Sequence, residues 1–115
     1  MNIFENYLEK INKLVLNSKS ELNLKNLESL SFVNLEVPPE HFNFDLSTNI
    51  SLILSKANKL NPIKLAKEIK DLLLNNINDF EKIEIAGPGF LNIRLSKEGL
   101  ALNIINILKS KKTYG

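Results

Sequence analysis

The sequence predicts an α+β domain in two layers, with helices packed on one face of an antiparallel sheet of about four strands. Three observations support this: helical stripes of apolar residues, short segments of alternating apolar and polar residues, and a Gly-Pro-Gly turn between two such segments. With 115 residues, of which 43% are hydrophobic, the chain is long enough for one core but short for two. We therefore predict a single domain over residues 1–115.

Apolar residues at three- and four-residue spacing predict two helices in the first half of the chain. The first is expected over residues 2–17, with the buried stripe Ile3, Phe4, Tyr7, Leu8, Ile11, Leu14 and Val15. The second has the stripe Ile50, Ile53, Leu54 and Ala57. This second helix is expected to begin near Ser47 or Thr48, because either side chain could cap it.

Two further helices are predicted in the second half. Asn61-Pro62 is a start signal, since asparagine can cap a helix and proline fits its first position. The stripe of that helix is Leu65, Ala66, Ile69, Leu72 and Leu73. Ser96 can cap a last helix, which ends in a basic segment. Its stripe is Leu100, Ile104, Ile105 and Leu108.

Alternation between apolar and polar residues predicts the strands. The first covers residues 33–37 with Val33, Leu35 and Val37 on one side, and it stops at Pro38-Pro39, which cannot donate to a sheet ladder. Residues 82–86 and 90–95 form a hairpin around Gly87-Pro88-Gly89, where glycine accepts a positive φ. Side chains alternate along a strand, so one set of the hairpin should face the core. That set is Ile83, Ile85, Leu91, Ile93 and Leu95.

The remaining side chains of the second hairpin strand, Phe90, Asn92 and Arg94, should then share the opposite face. They offer a ring that can stack on a base, an amide that can donate and accept at a base edge, and a cation for phosphate. This combination is typical of proteins that read single-stranded RNA. From the residues alone an alternative stays open, in which Phe90 is covered by the first helix or by a partner domain.

Other chemistries find little support in the sequence. Cysteine is absent, which excludes disulfides, thiolate nucleophiles and zinc knuckles. The one histidine, His41, has no acid arranged to orient it, and we interpret it as a solvated loop residue. The serines form no Gly-x-Ser-x-Gly elbow, the acids show no metalloprotease or calcium-loop spacing, and Gly87-Pro88-Gly89 lacks the lysine of a phosphate loop. Hydrolase and metalloenzyme functions are therefore disfavoured, and no metal site is expected.

The charge and the start of the chain limit its partners. A formal net charge of +2 is too small for the whole surface to attract nucleic acid, so any basic binding face must be local. There is no run of about 18 apolar residues, and the first residues lack the basic start and cleavage site of an export signal. We expect a cytoplasmic protein without membrane contact.

An ordered set of motifs lies between Glu36 and Gly115. It comprises Val37-Pro38-Pro39, Asp45-Leu46-Ser47-Thr48-Asn49, Lys56, Asn61-Pro62 with Ala66 and Ile69, and the run from Ile85 through Gly87-Pro88-Gly89 to Leu95. Together these motifs resemble the N-terminal additional domain of bacterial arginyl-tRNA synthetases. Residues 1–35 match only as a helix plus a connector, and Tyr114-Gly115 resembles the family's boundary before its catalytic domain.

The resemblance implies that the domain docks the outer corner of tRNA and contacts a D-loop base. In the family an aromatic residue and an amide after the Gly-Pro-Gly turn make this contact, and here they match Phe90 and Asn92. Arg94 and Lys56 are further candidates for tRNA binding, through phosphate. One departure is Phe44, where the family usually has glycine, so the backbone is expected to turn differently there. We interpret Ser47-Thr48-Asn49 as helix capping and packing.

The resemblance also implies that the parent enzymes are class I arginine-tRNA ligases, which use ATP to join arginine to tRNA-Arg. Their His-Ile-Gly-His and Lys-Met-Ser-Lys signatures do not occur in this chain. The chain alone should therefore catalyse nothing and need no cofactor, because ATP and Mg²⁺ act in the catalytic domain, which is absent here together with the anticodon-binding domain. Its expected partners are tRNA-Arg and the covalently continuous catalytic domain, and it is expected to be a monomer.

Two other functions stay open beside this one. The chain could be a freestanding RNA-binding or ribosome-associated protein that uses the same sheet surface. It could also be a dimeric ligand-sensing regulatory module, with Phe90 in the interface between subunits. Neither alternative accounts for the ordered set of motifs.

Overall fold

A computed structural model of the chain describes residues 3–38 and 43–98. Its helices are α1 (Ile3–Asn17), α2 (Ile50–Asn58) and α3 (Pro62–Asn76), and a short 3₁₀ helix covers Glu28–Phe32. Its strands are β1 (Leu35–Glu36), β2 (Leu46–Thr48), β3 (Phe80–Ala86) and β4 (Phe90–Leu95). None of the helices in these two ranges is long and apolar enough to span a bilayer.

The four strands form one antiparallel sheet in the order β1-β2-β4-β3. Strand β4 lies inside the sheet, and its Ile93 is opposite Ile83 of β3 on one side and Leu46 of β2 on the other. Strand β1 joins the far side of β2, where Leu35 is opposite Thr48. The helices pack against one face of this sheet, so the predicted two-layer α+β fold is confirmed.

One apolar core lies between the helices and the sheet. Its most deeply buried aliphatic side chains are Ile11, Val15, Ile50, Leu54, Leu65, Ile69, Leu73, Ile83, Leu91 and Ile93. Burial of one such side chain contributes about 1.5–3 kcal/mol, and the chain has no cysteine to form a disulfide. The predicted inward side of the hairpin is confirmed: Leu95 is also buried, and Ile85 is half-buried against the core.

Tyr7 joins α1 to the start of β3. Its ring packs against Phe80 with the centroids 5.4 Å apart, and its hydroxyl donates a hydrogen bond to Oδ2 of Asp79 at 2.9 Å. The hydroxyl is therefore satisfied although the residue is buried. The predicted stripe of α1 holds for Tyr7, Ile11 and Val15, but the prediction for Phe4 is wrong, because its side chain is exposed one turn before Tyr7.

The predicted start of α3 is confirmed. Oδ1 of Asn61 accepts hydrogen bonds from the backbone N–H groups of Ile63 and Lys64, both at 3.0 Å. Pro62 occupies a first-turn position, where its missing N–H costs nothing. Two donors that a helix start leaves without partners are thus satisfied by one side chain.

The start of α2 differs from the prediction. Ser47 and Thr48 belong to strand β2, and Asn49 occupies the N-cap position without a capping side-chain bond. Oγ1 of Thr48 still accepts the N–H of Ile50 at 3.3 Å, so its hydroxyl supports the helix from within the strand. A strand of three residues is too short to show alternation in the sequence, and its pairing with β4 decides its conformation.

Strand β1 is shorter than predicted, because only Leu35 and Glu36 pair with β2. Val37, predicted as part of this strand, lies beyond the end of the pairing and is 68% exposed. Several other predictions fall on residues outside the described ranges. They concern Asn2 at the start of the first helix, His41 and the stripe Leu100, Ile104, Ile105 and Leu108 of the last helix, of which only Lys97 and Glu98 are described, as helical.

Asn58, at the end of α2, holds the connector between α1 and β1. Its Oδ1 accepts the backbone N–H groups of Lys25 at 2.8 Å and Asn26 at 2.7 Å. Its Nδ2 donates to the carbonyl oxygens of Asn26 and Leu54, both at 2.9 Å. This connector includes the buried Leu24, so one amide satisfies backbone groups of an irregular segment that closes the core.

We predict that Asn58→Ala lowers the free energy of unfolding by about 1–2 kcal/mol, because the N–H groups of Lys25 and Asn26 lose their acceptor. Urea denaturation of the chain, followed by circular dichroism, measures this loss. Asn75→Ala is the matched control, since Asn75 is an exposed asparagine of α3, and it should change the free energy by at most about 0.5 kcal/mol. Equal midpoints for the two variants would contradict the assigned role.

Candidate nucleic-acid interface

The face of the sheet that points away from the helix layer is called here the open face. Its middle row crosses all the strands: Glu36 of β1 is opposite Ser47 of β2, and Ser47 is opposite Asn92 of β4. Asn92 in turn is opposite Glu84 of β3. The amide of Asn92 thus lies between a hydroxyl on one side and a carboxylate on the other.

Two shorter rows flank the middle row. Phe90 is opposite Ala86 next to the hairpin turn, and Arg94 is opposite Lys82 at the other end of the hairpin. Alternate residues of an antiparallel strand are about 6.8 Å apart, so Phe90 and Arg94 are separated by about 14 Å along β4. The open face therefore has an aromatic end, a polar middle and a basic end.

The hairpin turn is held against the helix layer by a close approach at Gly89. A Cβ atom there would lie 3.3 Å from Cβ of Pro62 and 3.7 Å from the backbone nitrogen of Leu52. Gly89 also has a φ of +140°, which side chains rarely allow. Only glycine therefore lets the turn sit on the starts of α2 and α3, and this fixes the position of the next residue, Phe90.

Phe90 keeps 37% of its surface exposed. A Cβ at Gly87 would be 3.9 Å from Cδ2 of Phe90, so one edge of the ring lies against the turn. Helix α1 packs in the core on the other side of the sheet. The alternative in which α1 covers Phe90 is therefore wrong, and the ring is accessible on the open face within the described ranges.

Asn92 is only 8% exposed, although it lies on the open face. Its neighbours in the sheet register, Ser47 and Glu84, flank it on both sides. Within residues 3–38 and 43–98 its side-chain amide makes no hydrogen bond. The polar atoms of this amide are not among the fully buried ones that lack a partner, so they are accessible from above the sheet and the amide can pair with a ligand there.

Arg94 is held on the side of the sheet nearest β2. Its Nε donates to the carbonyl oxygen of Asn43 at 3.0 Å, and its Cζ lies 5.6 Å from the centroid of the Phe44 ring. The guanidinium group is thus oriented by a hydrogen bond and by an aromatic face. Phe44, the departure from the family pattern, is therefore directly next to a predicted binding residue.

Lys82 and Glu84 are neighbours on the β3 side of the open face. Nζ of Lys82 is 3.6 Å from Oε2 of Glu84, and the two side chains are 53% and 56% exposed. Sequence reasoning missed both residues, together with Ser47 and Phe44. The alternation with Ile83 and Ile85 already places Lys82 and Glu84 opposite the core, but the register that brings them beside Arg94 and Asn92 comes from pairing with β4.

Lys56 does not lie on the open face with the other candidate binding residues. It is an exposed residue in the last turn of α2, and α2 packs on the inner face of the sheet. The structure therefore brings together Phe90, Asn92 and Arg94 but leaves Lys56 on the helix layer. A contact of Lys56 with phosphate stays a prediction for a separate surface.

The residues of the Asp45-Leu46-Ser47-Thr48-Asn49 motif mostly serve the fold. Asp45 extends the β2–β4 pairing: its N–H donates to the carbonyl of Ile93, and its Oδ2 accepts the N–H of Leu95, both at 2.8 Å. Oδ1 of Asn49 accepts the N–H of Asn34 at 2.9 Å, which fixes the approach to β1. The interpretation of this motif as packing is supported, whereas side-chain capping holds only for Thr48.

A depression with a volume of about 440 Å³ lies on the helix side. It is lined by Lys10, Lys13, Leu14, Asn76, Ile77, Asn78 and Asp79. Nζ of Lys10 lies 5.7 Å from the centroid of the Tyr7 ring, and Nζ of Lys13 is 3.3 Å from Oε1 of Glu9. Both cations are thus engaged by their own helix. In the described ranges no three carboxylate or imidazole groups are close enough together to hold a metal ion.

Comparison with known proteins identifies the family. The sequence profile of the arginyl tRNA synthetase N terminal domain matches residues 3–95. The chain is 40% identical, over its whole length, to 20% of the arginine-tRNA ligase of Pelagibacter ubique. It is 38% identical to 20% of that of Bartonella henselae, again over its whole length. With 76% of its length it is 41% identical to 16% of that of Staphylococcus carnosus.

The chain thus spans at most about a fifth of the length of these relatives, 16–20%. The matched region includes every strand of the sheet and ends at Leu95, the last residue of β4. The open face therefore lies wholly within the part that the family profile describes. This chain belongs to the family of arginyl-tRNA synthetase N-terminal domains.

Proposed function

We propose that this chain is a tRNA-binding domain of an arginyl-tRNA synthetase, and that its open face holds an unstacked D-loop base at the outer corner of tRNA-Arg. The observation that best supports the proposal is Asn92 on the open face: its side-chain amide makes no hydrogen bond within the described ranges, and its polar atoms are not fully buried. Asn92 is two residues after Phe90 on β4, so the two side chains share one face, where the ring of Phe90 is accessible.

The arrangement suits a base that has left its helical stack. A base lying on the Phe90 ring would present its edge toward Asn92, about 6.8 Å further along the strand. The amide can donate to a ring nitrogen or carbonyl and accept from an amino group, so it can satisfy a base edge from one position. Such a base would supply hydrogen-bond partners to an amide that has none within the described ranges.

The names of the relatives support the activity that we propose for the whole protein. Their name, arginine-tRNA ligase, states that those proteins join arginine to tRNA. We propose that this chain acts beside a catalytic domain in the same polypeptide, which would supply ATP and Mg²⁺ chemistry in the cytoplasm. In this arrangement the N-terminal domain adds tRNA affinity and orientation, and it works as a monomer.

We predict that the 115-residue chain alone binds tRNA-Arg weakly, with a Kd of ~10⁻⁴ to 10⁻⁶ M, because the contacts outside one base are mainly electrostatic. Fluorescence anisotropy with labelled tRNA-Arg measures this affinity, which should fall as salt rises. Nanomolar, salt-insensitive binding would mean that another surface is used. A stable dimer in size-exclusion chromatography without RNA would instead favour the ligand-sensing alternative, with Phe90 in the interface.

We predict that Phe90→Ala weakens tRNA binding by ~1–3 kcal/mol, since a base loses its stacking platform. Asn92→Ala should cost less, ~0.5–1.5 kcal/mol for a net hydrogen bond. In the full-length enzyme Phe90→Ala should raise KM for tRNA about 5- to 100-fold, with little change in kcat. The double variant should lose less than the sum of the single losses, because both side chains serve one base.

Phe32→Ala is the matched control for these variants, because it removes a ring that is 72% exposed in the 3₁₀ helix rather than on the sheet. It should leave KM for tRNA unchanged. A Phe90→Ala enzyme that unfolds in part, while its folded fraction keeps a normal KM for tRNA, would show that Phe90 serves packing only. The proposal for the base contact would then be wrong.

A further inference from the structure

The basic end of the open face contains a pair of like charges. Lys82 and Arg94 are directly opposite each other on neighbouring strands and on the same face of the sheet. Like charges in such positions destabilise a sheet. Because the chain has a formal charge of only +2 and a single arginine, this pairing concentrates positive charge at one place.

Lys82 is not neutralised by its ion pair with Glu84. The Nζ–Oε2 distance of 3.6 Å exceeds that of a close hydrogen bond, and both side chains are more than half exposed. Exposed ion pairs contribute little and are screened by salt. The ammonium group of Lys82 therefore stays available to a second anion.

Arg94 is oriented and, within residues 3–38 and 43–98, keeps most of its donors. A guanidinium group has five N–H donors, and the bond to Asn43 uses the one on Nε. Cζ of Arg94 lies over the Phe44 ring, 5.6 Å from its centroid. The four N–H donors of the two terminal nitrogens are then directed by a side chain that has lost much of its freedom, which suits a planar, bidentate contact with phosphate.

We propose that Lys82 and Arg94 form one binding site for an RNA backbone phosphate, and that Phe44 is the positioning residue that holds Arg94 in it. A phosphate between the two cations replaces their repulsion with two attractions. The inference rests on the proposed function, because the phosphate belongs to the strand whose base lies on Phe90. About 14 Å along β4 separates the two ends of the open face, so the phosphate is that of a neighbouring nucleotide.

The test measures how the binding of the chain to tRNA-Arg depends on salt between about 50 and 200 mM. Loss of one phosphate contact lowers the slope of log K against log salt by about 1. We expect this reduction for Lys82→Gln and for Arg94→Gln. Lys67→Gln is the matched control, since it removes an exposed lysine of α3 and should leave the slope unchanged.

Phe44 is tested through Arg94. Phe44→Leu should weaken binding about 2- to 5-fold through loss of the cation–π contact, and Phe44→Tyr should restore wild-type affinity. In an Arg94→Gln background Phe44→Leu should cause no further loss. A purely structural role of Phe44 would give the same loss in both backgrounds and would overturn its assignment.

The possible outcomes separate the phosphate site from the base contact. If Lys82→Gln and Arg94→Gln keep the slope of Lys67→Gln, the phosphate site is overturned, even when Phe90→Ala weakens binding. If both slopes fall while Phe90→Ala has no effect, the phosphate site stands and the proposed base contact fails. Arg94→Lys keeps the positive charge and should therefore keep the wild-type slope of log K against log salt. A lower slope for this variant would show that Arg94 only holds residues 43–44 in place, and it would overturn the phosphate site. Absence of any binding at about 50 mM salt overturns both proposals.

Discussion

The pairing of β4 with a neighbour on each side is the constraint on which the rest of the structure depends. Because both neighbours are in antiparallel register, the two-residue period of β4 assigns every side chain to one face or the other. Leu91 and Ile93 then close the core, and Asn92 between them reaches the open face. A shift of one residue would exchange the two sets, so the core enforces the composition of the open face.

Several backbone groups at the joints between elements are satisfied by short polar side chains. Asn58 binds the irregular connector after α1, Asn49 binds the approach to β1, and Asp45 takes the place of a backbone acceptor beside β4. Asn61 does the same at the start of α3. Each is a compact amide or carboxylate that reaches backbone of another segment or of the next helical turn. The many asparagines of the chain thus include several that replace regular hydrogen-bonded structure.

The sequence predicted the elements whose signals are local. The helix that starts at Asn61-Pro62, the hairpin around Gly87-Pro88-Gly89 and the inward side of β4 follow from capping, turn chemistry and alternation. Strand β2 and the short extent of β1 could not be predicted in this way, because pairing with distant residues defines them. The same holds for the open face. Alternation and resemblance predicted that Phe90, Asn92 and Arg94 lie there. The positions of Lys82 and Phe44 beside Arg94 could not be predicted, because they depend on contacts between residues distant in sequence.

Strand β3 is an edge strand of the sheet. Its charged side chains therefore have a second effect, on association between molecules. A seven-residue edge strand with Ile83 and Ile85 on one side could template strands of other molecules and so promote aggregation. Glu81, Lys82 and Glu84 place charges of both signs along that edge, and the register of β3 against β4 is irregular between Phe80 and Lys82. Charges and bulges of this kind oppose intermolecular pairing. The charged side chains of β3, some of which border the open face, therefore also help to keep the protein dispersed at the concentrations of a crowded cell.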